Sequence, residues 1–249
     1  MNFPRFYCRE ALAPGARVEL PAPVARHAAR VLRLPPGAPM ILFDGRGGEY
    51  LAHIERIERD RVLAGLADWR EVERESPLAV TLVQALQAGE KMDFTVQKAV
   101  ELGVRDIVPV MSRRSVMRLS GDRAGRRVAH WQGVAAAACE QCGRNQVPLV
   151  APLEKLENWL ARPADGALRL MLAPQAERTL ADLPPANKVQ LLIGGEGGLA
   201  PQEVVAAELA GFQAVRLGPR VLRTETAGLA ALAALQLLWG DLGKGTTDV

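Results

Sequence analysis

Three cysteines, three histidines and two tyrosines are all that 249 residues hold of those types. Cys8, Cys139 and Cys142 cannot form a disulfide framework, which fits a reducing compartment. The run Cys139-Glu140-Gln141-Cys142 is a lone C-x-x-C. Zinc would want two further ligands at short spacing, and His27, His53 and His130 are scattered, so no metal is expected. Redox use of the pair would need a thioredoxin-like strand before it. H-E-x-x-H, G-x-S-x-G and P-loop motifs are missing, which leaves metalloprotease, serine-nucleophile and nucleoside-triphosphate chemistries without support. No uninterrupted apolar run reaches the roughly eighteen residues of a membrane span; 229–239 is strongly apolar but too short. The opening MNFPRFYCRE lacks the apolar core of an export signal, so the expectation is a cytoplasmic chain with no membrane partner.

Lysine is scarce as well. Of 31 basic residues 26 are Arg, the side chain better suited to bidentate phosphate recognition. Net charge is only +3, yet the first 33 residues carry Arg5, Arg9, Arg17, Arg26, Arg30 and Arg33 against Glu10 and Glu19. Residues 113–127 carry six Arg against Asp122 alone. Two basic patches on a nearly neutral protein point to an anionic polymer, although Arg richness can also reflect genome composition.

What is abundant is glycine at one place. In VQLLIGGEGGL (189–199), a short buried-strand pattern runs into Gly194, Gly195, Gly197 and Gly198 around a single acid, Glu196. Pro201 follows as a natural first helical residue. Strand, glycine turn and helix start put backbone amides at a strand's carboxyl end, where open α/β sheets bind ligands. LGPRVLRTET (217–226) repeats the arrangement after the strand-like 212–217 and before an apolar helix. The two loops are expected to form one small-molecule site. Residues 195–200 match G-x-G-x-x-A, but no acid closes the next strand, where Arg216, Leu217 and Gly218 stand, so a dinucleotide site is disfavoured. A turn alone would not need four glycines in five residues.

Along the chain, residues 1–72 read as short strands between turns, with 40–43 and 49–57 flanking DGRGG. A helix is expected over 23–34, with Val24, Ala28, Val31 and Leu32 inward and Arg26, Arg30 and Arg33 on the opposite face. Residues 68–77 (DWREVERESP) read as a linker. Beyond it strands at 79–86, 106–111, 149–151, 168–173, 189–193 and 212–217 alternate with helices at 91–102, 123–142, 153–161, 201–210 and 225–239. That alternation indicates an α/β domain with a mainly parallel sheet covered on both faces. In the 91–102 helix Met92, Val96, Ala99 and Val100 form the buried stripe, and Lys98 can pair with Glu101. The 225–239 helix is apolar nearly all round, Gln236 excepted, so it is either central or part of a subunit interface.

GGEGGLAPQE at 194–203 with LGPRVLRTETAGLAAL at 217–232 resembles the paired signature of the RsmE family, 16S rRNA (uracil-N3) methyltransferases of the SPOUT, or α/β-knot, superfamily. Lys91, QKAVELGV at 97–104, Pro109, RRS at 113–115, EQ at 140–141, Arg144 and VP at 147–148 agree with it. RFY at 5–7, HAARVLRLPPG at 27–37 and FDGRGGEY at 43–50 resemble that family's PUA-like N-terminal β-barrel. The resemblance spans nearly the whole chain, with one departure: Gly195 stands where the family usually has Pro, which should loosen the loop.

The resemblance implies a PUA-like RNA-binding barrel over 1–72 and a SPOUT domain over 77–243 whose chain threads a trefoil knot, a rare exception to ordinary connectivity. It implies a homodimer, 16S rRNA of the small ribosomal subunit as partner, and S-adenosyl-L-methionine as cofactor. The cofactor would be held by Leu172, Ala173, Ile193, Gly194, Gly195, Gly197, Gly198, Leu217, Gly218, Arg220 and Leu222. Because N3 of uracil must lose its proton, a cation beside a carbonyl oxygen would stabilise the developing charge. Arg223 is the candidate, with Arg220 second. Glu196 is either a general base or a hydrogen-bond acceptor bracing the loop. Arg5, Arg9, Arg26, Arg30, Arg33, Lys91, Arg113 and Arg114 are expected to grip RNA. The alternatives are a SPOUT enzyme acting on a ribose 2′-OH, and a non-catalytic RNA-binding ribosome-assembly factor.

Overall fold

The computed structural model describes residues 3–59 and 61–243, which fall into two compact units. One takes the chain up to Glu75 together with Ala136–Val147; the other takes Ser76–Ala135 and the chain from Pro148 onward.

The first unit is a five-stranded mixed sheet in the order β1-β3-β4-β5-β2: β1 (Arg5–Tyr7), β2 (Arg17–Glu19), β3 (Pro39–Phe43), β4 (Glu49–Glu58) and β5 (Arg61–Arg70). The expected strands at 40–43 and 49–57 are present, paired antiparallel. Phe6, Met40, Leu42, Ile54 and Val62 fill the core, closed by Ala25 and Ala28 from a short helix. That helix, α1 (Ala22–Arg26), gives way to a π turn over His27–Val31, closed by Leu32 N–H on the His27 carbonyl at 3.0 Å. The wider turn breaks the 3.6-residue stripe. Val31 and Leu32, expected inward, are 68% and 42% exposed, while Ala25 takes their place. Residues 68–70 belong to β5 rather than to a linker; their polarity reflects an exposed strand end, with Tyr50 opposite Trp69 and Glu49 opposite Arg70.

Arg5 is an internal tie, which corrects its expected place on an RNA-facing surface. Its guanidinium bonds Glu49, Asn145 Oδ1 and the Arg144 carbonyl, and lies 5.1 Å from the centre of the Phe43 ring. The Arg5 and Glu49 side chains are 11% and 7% exposed. Cys139 is buried nearby in the same unit, its thiol pushed up to about 12 chiefly by burial, which makes it inert.

The second unit is built on a parallel sheet in the order β12-β10-β11-β6-β7-β8, with β9 also on β7. Its elements are β6 (Ala79–Ala85), α2 (Lys91–Glu101), β7 (Asp106–Met111), α3 (Gly121–Cys142), β8 (Leu149–Val150), β9 (Glu154–Lys155), α4 (Leu156–Leu160), β10 (Leu168–Leu172), β11 (Lys188–Ile193), α5 (Pro201–Leu209), β12 (Gln213–Val215) and α6 (Thr224–Leu238). The last turns of α3, from Ala136, are grouped with the first unit. Met92, Val96, Ala99 and Val100 of α2 are buried as the periodicity requires, and Lys98 pairs with Glu101 at 2.7 Å. The helix expected over 153–161 is shorter, because Glu154 and Lys155 pair with β7. Gln236, the polar interruption of α6, accepts from the Ser76 hydroxyl at 2.5 Å and donates to the Gly103 carbonyl at 3.2 Å.

β11 lies between β10 and β6, with Leu192 beside Met171 and Ile193 beside Gln84; β10 carries β12 on its other side, Leu172 beside Val215. Four strands therefore end at one edge, and the chain leaving each enters the same region. Among the described residues no helix is long and apolar enough to cross a membrane.

Removing one partner of a buried ion pair strands the other charge, at a cost of roughly 3–5 kcal/mol. Arg5→Ala should lower stability by about that amount, read as a drop in urea midpoint. A change below about 1 kcal/mol would mean that Glu49 is solvated despite its burial.

Candidate functional site

At the carboxyl edge of β10, β11 and β12 the second unit encloses a cavity of about 530 Å³, within the range of small-molecule sites. Its walls are the glycine turn after β11, the loop after β12, the strip following β10, and the side chains of Lys91 and Arg114. Leu172, Ala173, Ile193, Gly194, Gly195, Gly198, Leu217, Gly218, Arg220 and Leu222, read from the sequence as one group, all line it. So do Glu196 and Arg223.

Gly197, expected to help hold the cofactor, is not among the residues lining the cavity. A Cβ on it would lie 3.2 Å from Arg114 Cβ, so its bareness admits a strap. The Arg114 guanidinium donates to the carbonyls of Gly197 (3.1 Å) and Leu199 (3.3 Å). Arg114, an exposed residue expected to grip RNA, thus braces the turn.

The turn needs glycine at its two limbs. Gly198 has φ +66°, and its N–H donates to the Gly195 carbonyl at 2.9 Å. A Cβ on Gly194 would come within 3.0 Å of Gly198 C and 3.1 Å of Leu199 N, both backbone. Glu196, at the tip, accepts from Ala88 N–H at 3.1 Å and from Lys91 Nζ at 3.4 Å. Burial pushes its carboxyl up, but the N–H groups of Ala88 and of Glu196 itself, with the Lys91 ammonium, outweigh this and hold it below the usual range. Lys91, expected to grip RNA, stands on the cavity wall between Glu196 and Glu225, 3.9 Å from the latter.

The two loops are joined through the first turn of α6. The Thr224 hydroxyl donates to the Gly194 carbonyl at 2.5 Å and accepts from Gln84 Nε2 at 3.1 Å. Gln87, with its amide oriented as its neighbours require, accepts from Glu225 N–H at 3.2 Å and donates to the Lys91 carbonyl at 3.2 Å. Arg223, at the N-cap of α6, is exposed, and its guanidinium has no ion-pair or hydrogen-bond partner among the described residues. Five cations (Lys91, Arg114, Arg216, Arg220, Arg223) against two carboxylates (Glu196, Glu225) give the walls a positive excess.

Sequence reading missed Thr224, Glu225 and Glu203. Glu203 is 1% exposed and accepts from Ala200 N–H at 2.8 Å and from Arg113 N–H at 2.7 Å, pinning the loop after β7 to the end of the glycine turn. An acid three residues past a helix N-cap was a legible signal for half of that arrangement. The Arg113 side chain is exposed beside Glu157 at 3.3 Å. Arg9, Arg26, Arg30 and Arg33 are exposed on the first unit. Among the described residues no cluster of His, Cys, Asp or Glu could hold a metal.

A family model described as an RNA methyltransferase domain matches residues 74–236, and one described as an RNA methyltransferase PUA domain matches residues 20–66. The ribosomal RNA small subunit methyltransferase E of Buchnera aphidicola from Schizaphis graminum is 32% identical over 242 residues, 97% of this chain and 98% of that one. This chain belongs to the ribosomal RNA small subunit methyltransferase E family. The family's protein from Neisseria gonorrhoeae, crystallised bound to S-adenosyl methionine, superposes with a TM-score of 0.92 at 44% identity, covering 96% of this chain and 99% of that chain. A Legionella pneumophila structure described as a methyltransferase with bound cofactor SAM gives 0.94 at 37% identity, covering 97% and 100%. Family membership accounts for both the mixed N-terminal sheet and the parallel sheet.

If Glu203 is the clamp between Arg113 and Ala200, Glu203→Leu leaves two buried N–H groups unpaired and should cost about 2–4 kcal/mol in chemical denaturation. Glu203→Gln keeps one acceptor oxygen and should lose roughly half as much.

Proposed function

We propose that this protein methylates N3 of a specific uridine in 16S rRNA of the small ribosomal subunit, using S-adenosyl-L-methionine. The observation that carries the reading is the cavity: two side-chain-poor bends, tied by Thr224 to Gly194, in the fold that holds S-adenosyl methionine in the Neisseria protein.

The residues present fit such a donor. Gly194, Gly195 and Gly198 offer bare backbone, Ile193, Leu217 and Leu222 offer apolar wall, and Glu196 offers negative charge to a sulfonium. The bound cofactor supplies an activated methyl group on sulfur. Holding the base in line with it can contribute several kcal/mol, about 7–11 at the upper limit for well-oriented pairs.

Arg223 is the cation that stabilises charge developing on a uracil carbonyl oxygen as N3 loses its proton. Its guanidinium is not spent on any described residue and it lines the cavity. Glu196 fits the bracing role better than the catalytic one, since Ala88 N–H and Lys91 already occupy it. The target base must be unpaired or flipped out, because pairing occupies N3. Arg9, Arg26, Arg30 and Arg33 on the first unit hold RNA phosphates, giving affinity that falls steeply with salt. A trefoil threading of the second unit, a homodimer using the exposed Leu237 and Leu238 of α6, and a cytoplasmic location belong to the same reading.

The test is incubation with labelled S-adenosyl-L-methionine and small subunits lacking the modification, with the product mapped by mass spectrometry. N3-methyluridine in 16S rRNA is expected; a methyl on a ribose 2′-oxygen would overturn the base assignment. Arg223→Ala should slow methyl transfer by roughly 100-fold or more while cofactor affinity in calorimetry stays within a few-fold. Gly194→Val, which drives a side chain into the backbone of Gly198 and Leu199, should abolish that calorimetric signal.

A further inference from the structure

Methylation at N3 of a neutral uracil requires an acceptor for the imide proton, and the structure narrows the choice. Besides Glu196 and Glu225, the charged side chains of the cavity wall are Lys91, Arg114, Arg216, Arg220 and Arg223, cations with no lone pair to offer. Among the described residues no His, Asp, Tyr or Cys lines it. The acceptor on the wall is therefore one of two glutamates.

Their surroundings differ. Glu196 sits at the tip of the glycine turn and spends an oxygen on Ala88 N–H and Lys91 Nζ. Those same contacts hold its proton affinity down. Glu225 has Lys91 Nζ 3.9 Å from Oε1, while its Oε2 is buried with no hydrogen-bond partner among the described residues. The side chain as a whole is 16% exposed. An unpaired buried carboxylate oxygen costs free energy, and such atoms persist where function needs them. Position supports the same choice. Glu225 lies two residues after Arg223 in the first turn of α6, held by Gln87 on its N–H and by the Thr224 bond to Gly194. The group that receives a proton and the cation that steadies the resulting oxygen charge thus share one rigid turn.

We propose, resting on the methyl-transfer reading above, that Glu225 accepts the N3 proton. As the N3–CH₃ bond forms and the S–CH₃ bond breaks, the S–CH₃ electron pair stays on sulfur. The N3–H bond leaves its pair on nitrogen, and the proton passes to the Glu225 carboxylate. The cationic sulfonium and the carboxylate become a neutral thioether and a carboxylic acid, so charge balances within the site. Lys91 is a positioning residue that pairs with this carboxylate.

The experiment compares wild type with Glu225→Gln, which keeps shape but cannot take up the proton. Single-turnover methylation should fall about 100-fold or more, while S-adenosyl-L-methionine affinity in calorimetry stays within about threefold. The deficit should shrink as pH rises toward ionisation of the imide itself, because the substrate then arrives without its proton. Glu225→Asp should recover part of the rate at neutral pH. In Glu196→Gln the loss should appear in cofactor affinity instead. A Glu225→Gln rate near that of wild type overturns the proposal. So does a deficit that is constant with pH, or a loss of cofactor affinity as large as the loss of rate. Wild type that methylates another atom overturns the function reading itself, a result separable from any behaviour of the variant.

Discussion

The hydrogen bond from the Thr224 hydroxyl to the Gly194 carbonyl joins the two bends that wall the site. The two bends it joins leave from β11 and β12, which are not neighbours in the sheet; β10 stands between them. Without a tie each bend would be an independent surface loop with its own opening free energy. With the tie, the second bend and the head of α6 move with the first. Gln84 makes the arrangement stiffer, since it donates to the same hydroxyl from within β6 while 0% exposed. A buried polar chain of this kind is costly when broken and specific when complete.

The glycine turn is held from outside as firmly as from within. Arg114 straps two of its carbonyls, Glu203 fixes the backbone on which Arg114's neighbour sits, and Glu196 anchors the tip to Ala88. These ties come from separate segments of the chain, which offsets the entropy that four glycines bring to a loop. They also bear on Gly195, where the family pattern has Pro. Gly195 is buried under the Leu86 carbonyl, its own carbonyl holding Gly198, so the turn does not rely on a proline ring to keep its shape.

Much of this was legible because it rests on local rules. Period-two and continuous apolar runs located β3, β4, β6, β7 and β11, and the glycine cluster with the LGPRVLRTET bend located the cavity walls. The misses share a cause: the deciding partner lay far away in sequence. Arg5 looked like a surface cation until Glu49 and Asn145 were placed beside it. The bracing roles of Lys91 and Arg114 were not legible until Glu196 and the Gly197 carbonyl were placed beside them. Gly197 looked like cavity lining, yet its missing side chain makes room for Arg114. The 23–34 helix failed for a different reason, a local widening to a π turn that a 3.6-residue template cannot anticipate.

Gln236 carries a consequence for the opposite end of its helix. It sits near the last turn of α6, where the Ser76 hydroxyl and the Gly103 carbonyl accept no other orientation of a buried amide. A helix apolar on nearly every side could otherwise slide or rotate by a residue at little cost, as unmarked hydrophobic seams do, and one polar group is enough to forbid it. The helix carries that registration about 18 Å, to the turn bearing Arg223, Thr224 and Glu225. The aim of the reactive groups is thereby indexed from the far end of the rod, like a key whose teeth are cut relative to its shoulder.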